Sequence, residues 1–98
     1  MKSDYRETNV NGLINNEIER YVSKHPVSYA LHKKASCYLP GGSSRAAAYF
    51  DPYPFFVDHG DGHYLVDVDG NRYLDFMMNA TSLIMGHAHP EILEVLNR

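Results

Sequence analysis

Apolar positions change their spacing several times along the chain, and each change marks an element. Ile14, Ile18, Tyr21 and Val22 fall at i, i+4, i+7 and i+8, the stripe of an amphipathic helix, with Asn11 as its N-cap. Residues 1–11 are polar and without period, and are expected to form a flexible arm. Pro26 interrupts the stripe: it disfavours helical dihedrals at His25, yet suits the first turn of a new helix. That second helix is predicted to run to Leu39, with Leu31, Ala35 and Tyr38 inward and Lys33 and Lys34 toward solvent, until Pro40, Gly41 and Gly42 stop it. From Pro40 to Pro54 the text is a loop rich in Gly and Pro, with one short alanine run.

The spacing then shortens to two. Phe55 to Asp58 and His63 to Val68 read as strands joined by a turn at His59 to Gly62. Arg72 to Phe76 returns antiparallel across Asp69-Gly70-Asn71, and Tyr64, Val66 and Val68 share a face. Asn79 to Met85 is small and apolar, too short to assign, before Gly86 breaks the backbone direction. Pro90 opens a last helix, with Glu91 and Glu94 near the positive end of its dipole. No glycine or proline stop follows the helix, so it is expected to continue past Arg98 and residues 12–98 to be part of a longer domain. The fold class is α+β: N-terminal helices, an antiparallel hairpin and the start of a helix.

Composition narrows the classes. A net charge of −3, without a basic block, argues against nucleic acid as a partner. No apolar run nears the roughly 20 residues that cross a bilayer, and the opening M-K-S-D-Y-R-E lacks the apolar segment of a signal peptide. Cys37 is the one cysteine, so no internal disulfide forms; a reducing, cytoplasmic location is the simpler expectation.

Three clusters invite a chemical reading. Asp67-Val68-Asp69-Gly70-Asn71 looks like a calcium loop, but the sixth and twelfth positions hold Arg72 and Met78 where Gly and an acid are needed, so a hairpin turn is the better reading. His59, His63, His87 and His89, with Asp58 or Asp61, match no common zinc spacing; His87 and His89 in G-H-A-H-P read as architectural. Arg45 follows G-G-S-S in the long loop. On its own it is a surface charge, although its planar fork of donors suits a carboxylate.

Together, P-G-G-S-S-R, P-F, G-D-G, D-V-D-G-N-R-Y-L-D and G-H-A-H-P occur in an order that resembles the N-terminal region of class III pyridoxal-phosphate aminotransferases. The resemblance covers about Pro26 to the end. It implies part of the small domain of a fold type I α/β enzyme, a homodimer using pyridoxal 5'-phosphate to pass an amino group between an amino acid and a keto acid. It makes Arg45 the contact to the substrate carboxylate, and Ile84 and Met85 apolar walls of the substrate pocket, with Phe55 or Phe56 in the same region. The alternative for Leu83 to Met85 is simple core filling. L-P-G-G-S-S-R is similar to the loop of β-amino-acid aminotransferases; glutamate-1-semialdehyde aminomutases place their arginine later, after S-P-V, where this chain has Ala46 to Ala48. A β-amino-acid type is therefore favoured and the aminomutase is the alternative. Lys2, Lys24, Lys33 and Lys34 follow no family lysine motif, so the catalytic lysine, the acid facing the pyridine nitrogen and the phosphate cradle are expected beyond this segment, which is not expected to be active alone. A reading from another class is a stand-alone α+β interaction module that pairs its hairpin edge or helix stripe with a partner.

Overall fold

A computed structural model of the chain describes residues 10–98. Helix α1 (Val10–Lys24) and helix α2 (Pro26–Ala35) meet at His25, which leaves helical geometry at φ −128° and ψ 47°, so Pro26 both ends one helix and opens the next. Asn11 lies inside α1 and does not cap it, so Val10 and Asn11 are helical where an arm was expected; the rest of the predicted arm, 1–9, is outside the described residues. α2 ends at Ala35, short of Leu39, because the Ser36 hydroxyl and amide both turn back onto the His32 carbonyl. Tyr38 consequently falls beyond the helix and is 80% exposed, not inward.

Three antiparallel strands follow in the order β1 (Val57–Asp61), β2 (Tyr64–Asp67), β3 (Arg72–Leu74). The first begins at Val57, two residues later than its sequence suggests, because the Phe56 amide is taken by the Ser28 hydroxyl at 3.0 Å. Asp61 pairs with Tyr64, which makes Gly62-His63 the two-residue turn in place of His59 to Gly62; Gly62 supplies a φ of +57° at its first central position. Tyr64 and Val66 share a face as expected, while Val68 lies past the end of β2. The Arg72 guanidinium covers the Tyr64 ring at 3.6 Å.

Polar groups dominate the centre. Among the described residues Tyr53 is the buried large hydrophobic, beside His25, Ser28 and Asp67, which are all under 5% exposed. The Tyr53 hydroxyl donates to the His25 carbonyl and the Tyr21 hydroxyl to the Tyr53 carbonyl, so the segment before β1 is tied to the helix corner at both its ring and its backbone. Tyr21 stacks on His25 at 4.1 Å and Phe55 on Tyr73 at 4.8 Å.

The Asp-Val-Asp-Gly-Asn turn locks the sheet to the helices. Asp67 accepts from the amides of Asp69 and Asn71, the Asn71 side chain and the Tyr73 hydroxyl. Burial pushes its carboxyl up, but these donors outweigh that and hold it below the usual carboxylate range. Burial and the Asp67 charge push the Tyr73 hydroxyl upward, so it remains a donor at ordinary pH. Tyr73 and Asp67 both meet His25, whose Nδ1 donates to the Tyr21 carbonyl at 2.7 Å. Asp69 reaches across to α2, where it accepts from the Val27 amide at 2.7 Å and the Ser28 amide at 3.0 Å, capping the helix from a residue more than forty positions away in sequence.

Past β3 the chain forms residues 76–86, then the last helix, Pro90–Leu96, which starts at Pro90 as expected but ends at Leu96, with Asn97 as its C-cap and not running on through Arg98. His89 occupies its N-cap position without a side-chain cap bond. Within 76–86, Met78, Asn79, Ala80 and Thr81 make a left-handed turn with φ of 47°, 51°, 56° and 68°. For residues with a Cβ this costs about 1–2 kcal/mol each, so the turn persists only where its surroundings hold it.

Candidate functional site

Arg45 lies at the rim of an open cavity of about 340 Å³ formed by the loop after α2, together with Ser43, Ser44 and Tyr49. The loop is shaped from below. Gly42 is buried at φ +66°, and a Cβ there would stand 2.7 Å from the Ser36 hydroxyl and 2.8 Å from the His32 ring, so only glycine lets the backbone rest on α2. The Ser43 hydroxyl then donates to the Arg45 carbonyl at 3.0 Å, and the same carbonyl accepts from the Ala48 amide, which fixes Arg45 in an extended conformation at the start of the alanine turn. The Arg45 side chain is exposed and forms no ion pair among the described residues. The nearest acid in the loop, Asp51, accepts instead from the Tyr49 hydroxyl at 3.1 Å. With its backbone fixed and its side chain exposed, Arg45 carries a planar donor fork of the shape that receives a carboxylate in bidentate fashion.

Ser43 and Ser44 also line a second cavity of about 230 Å³, whose walls include Leu39, Phe55 and Phe56. The two phenylalanines thus belong to the neighbourhood of the arginine loop. Ile84 and Met85 stand on the separate 76–86 loop and are 90% and 56% exposed, so neither fills a core within this chain; Leu83 is half-buried.

The lysines of the two helices do not enter these cavities. Lys33 lies 5.6 Å from the Tyr29 ring, and Lys24 borders a groove between α1 and β3 with Arg20 and Arg72. None of the described lysines therefore borders the arginine loop's cavities.

One pairing escaped the sequence. Asp75 and His87, 12 positions apart, meet at 2.7 Å between Oδ2 and Nε2. Hydrogen bonding to His87, with the Met78 and Met77 amides, holds the Asp75 carboxyl below its usual range. The signal available was G-H-A-H-P itself, which marks a turn but not the acid it closes upon.

Residues 46–98, just over half of the chain, match the model of the class-III aminotransferases. The chain belongs to the class-III aminotransferase family. A glutamate-1-semialdehyde 2,1-aminomutase from Methanopyrus kandleri is 42% identical over 76 residues, covering 78% of this chain and 18% of that protein. The crystal structure of a β-phenylalanine aminotransferase from Variovorax paradoxus superposes with a TM-score of 0.84 at 30% identity over 90% of this chain and 20% of that one. A transaminase with bound pyridoxal phosphate gives a TM-score of 0.70 at 47% identity over 74% of this chain and 17% of its own. The chain thus spans about a fifth of the length of such class-III relatives, whose helices and antiparallel strands it shares. No helix among the described residues is long and apolar enough to cross a membrane.

Proposed function

We propose that this chain is the N-terminal, substrate-facing part of the small domain of a cytoplasmic, homodimeric class-III aminotransferase that moves an amino group from a β-amino acid to a keto acid. The observation that carries the reading is Arg45, fixed through its backbone by Ser43 and Ala48, with no acid paired to its guanidinium among the described residues. It binds the donor's carboxylate and so sets the orientation of the carbon that bears the amine. Ile84 and Met85 form the apolar wall for the donor's side group. Pyridoxal phosphate, held by residues beyond this segment, supplies the electron sink. The segment alone is inactive.

The aminomutase is the second reading, favoured by the name of the Methanopyrus relative. Against it stands the position of Arg45 directly after Ser44, with Ala46, Ala47 and Ala48 following. The test is to supply the holoenzyme with β-phenylalanine and pyruvate, and separately with glutamate-1-semialdehyde. Amine transfer from the first, with a raised KM but intact cofactor absorbance in Arg45→Ala, is the expected result; turnover of the second alone would replace the proposal with the aminomutase.

A further inference from the structure

Residues 76–86 leave the sheet and return to it at one place. On the outgoing side, the Asp75 amide donates to the His63 carbonyl at 2.8 Å, and its Oδ1 accepts from the amides of Met77 and Met78 at 2.9 and 3.0 Å. On the returning side, His87 and Gly62 exchange both backbone hydrogen bonds, at 2.7 and 3.0 Å. The two sides are then joined by the bond between Asp75 and His87, whose side chains are 8% and 17% exposed. The His87 ring lies flush on β1: a Cβ on Gly60 would come within 2.4 Å of it. Between these ends sit the left-handed turn and four exposed apolar side chains, Phe76, Met77, Ile84 and Met85.

A left-handed turn of four residues with side chains is strained, and within 76–86 that strain is opposed by four backbone bonds, Thr81 to Met77, Ser82 to Asn79, Leu83 to Met78 and Gly86 to Leu83, and by exposed side-chain bonds between Ser82 and Asn79. What is over-determined is the closure. Asp75 serves both functions at once, capping the start of the turn with one oxygen and gripping His87 with the other, so losing the grip frees the cap to move.

We infer that the Asp75–His87 pair is a positioning clamp that holds loop 76–86 in its strained form and thereby sets which donor side groups Ile84 and Met85 admit. Neither residue touches the substrate. The selectivity half of the inference rests on the proposed function; the ordering half rests on the geometry alone.

His87→Phe keeps a ring over Gly60 and removes the bond to Asp75, whereas His87→Gln places an amide donor near the former Nε2. In the full-length holoenzyme, hydrogen exchange of peptides covering 76–86 is read beside kcat and KM for β-phenylalanine and for 3-aminobutyrate, one large and one small side group. His87→Phe is expected to speed exchange in 76–86 at least tenfold. It should also change the ratio of the two kcat/KM values at least fivefold, chiefly through KM, with cofactor absorbance unchanged and His87→Gln restoring most of both. Unchanged exchange in His87→Phe overturns the clamp whatever the activity does. Faster exchange with an unchanged ratio, in an enzyme that transfers amines and needs Arg45, overturns the link to selectivity. If the wild-type protein transfers no amine, the proposed function falls and the exchange result alone decides the clamp. Should His87→Phe fail to fold, the same readings on Asp75→Ala and the Asp75→Ala/His87→Gln pair decide it: rescue by Gln without Asp75 would overturn the pairing.

Discussion

Asp69 is the point at which a turn in the sheet fixes a helix, and removing its carboxylate should loosen that helix in a measurable way. It accepts from the Val27 amide at 2.7 Å and the Ser28 amide at 3.0 Å. Ser28 is fully buried, so its amide finds no water when the acceptor goes, while Val27 is 47% exposed and can be rehydrated. An N-cap acceptor contributes about 0.5–2 kcal/mol and a donor left unpaired inside costs about 1–3 kcal/mol. With one of the two amides rescued by solvent, Asp69→Ala should cost about 2–3 kcal/mol. At 1.4 kcal/mol per factor of ten, hydrogen exchange of the α2 amides in the full-length protein should accelerate about 30- to 150-fold. Asp69→Asn retains one acceptor oxygen and should accelerate exchange by about tenfold, since roughly half of the interaction survives. Exchange in α2 within about threefold of wild type for Asp69→Ala would refute the reasoning and show that α2 is held by something other than this cap.

Further outcomes follow from the same contacts. Gly60→Ala should strongly lower the thermal midpoint by driving a Cβ into the His87 ring, and pairing it with His87→Ala should recover part of the loss; no recovery would mean that the collision is not the cause. Arg45→Ala should raise KM for the carboxylate donor by about tenfold or more while leaving the thermal midpoint within a degree or two, because the guanidinium makes no ion pair among the described residues. Asp67, Asp69 and Asp75 all have lowered folded pKa values, so their contribution is present above the unfolded value near 4 and is lost as pH falls through the folded values; Asp67→Asn should flatten that acid limb of a midpoint-against-pH curve. The Tyr73 hydroxyl is raised, so its contribution is complete below about pH 10 and is lost as pH rises further; an unchanged alkaline limb in Tyr73→Phe would sink that assignment.

Local signals carried much of this fold into the sequence, and long-range hydrogen bonds account for the errors. Pro26 ended and opened helices where expected, and Pro90 began one, because proline acts through its own ring and its immediate neighbour. The antiparallel order of three strands was legible from alternation and the Asp-Gly-Asn turn. The strand start was not, because the Phe56 amide is claimed by Ser28 from another element, and the turn slid to Gly62-His63 because the G-D-G text offers two glycines that can accept positive φ. The left-handed turn had almost no local signature: of Met78, Asn79, Ala80 and Thr81 only the asparagine adopts that conformation readily. Under the proposed clamp its support is the closure of Asp75 on His87, residues whose pairing spacing alone does not show. Arg45 was visible as a residue of interest only through resemblance, since a loop arginine is by itself a common surface group; its fixed backbone and open guanidinium add a physical reason.

The distribution of polar and apolar contacts bears on whether these residues make a self-contained module. What is buried is a hydrogen-bonded set, His25, Ser28 and Asp67 around Tyr53, which specifies how the helices meet the sheet but contributes little net free energy per bond. The apolar groups that would stabilise an independent domain are turned outward. Ile14, Ile18 and Val22 along α1 are 39–49% exposed, Phe76 and Ile84 on the clamped loop 88% and 90%, and Val95 and Leu96 on the last helix 64% and 74%. These faces lie on three different elements, more open apolar surface than a self-contained module of this size leaves uncovered. A larger body wrapping the segment on several sides would cover them, and the fivefold greater length of the family's members is of that scale. The polar centre fixes how the helices meet the sheet while the apolar faces stay open, and this division between a polar joint and apolar outer faces favours the enzyme reading over the module.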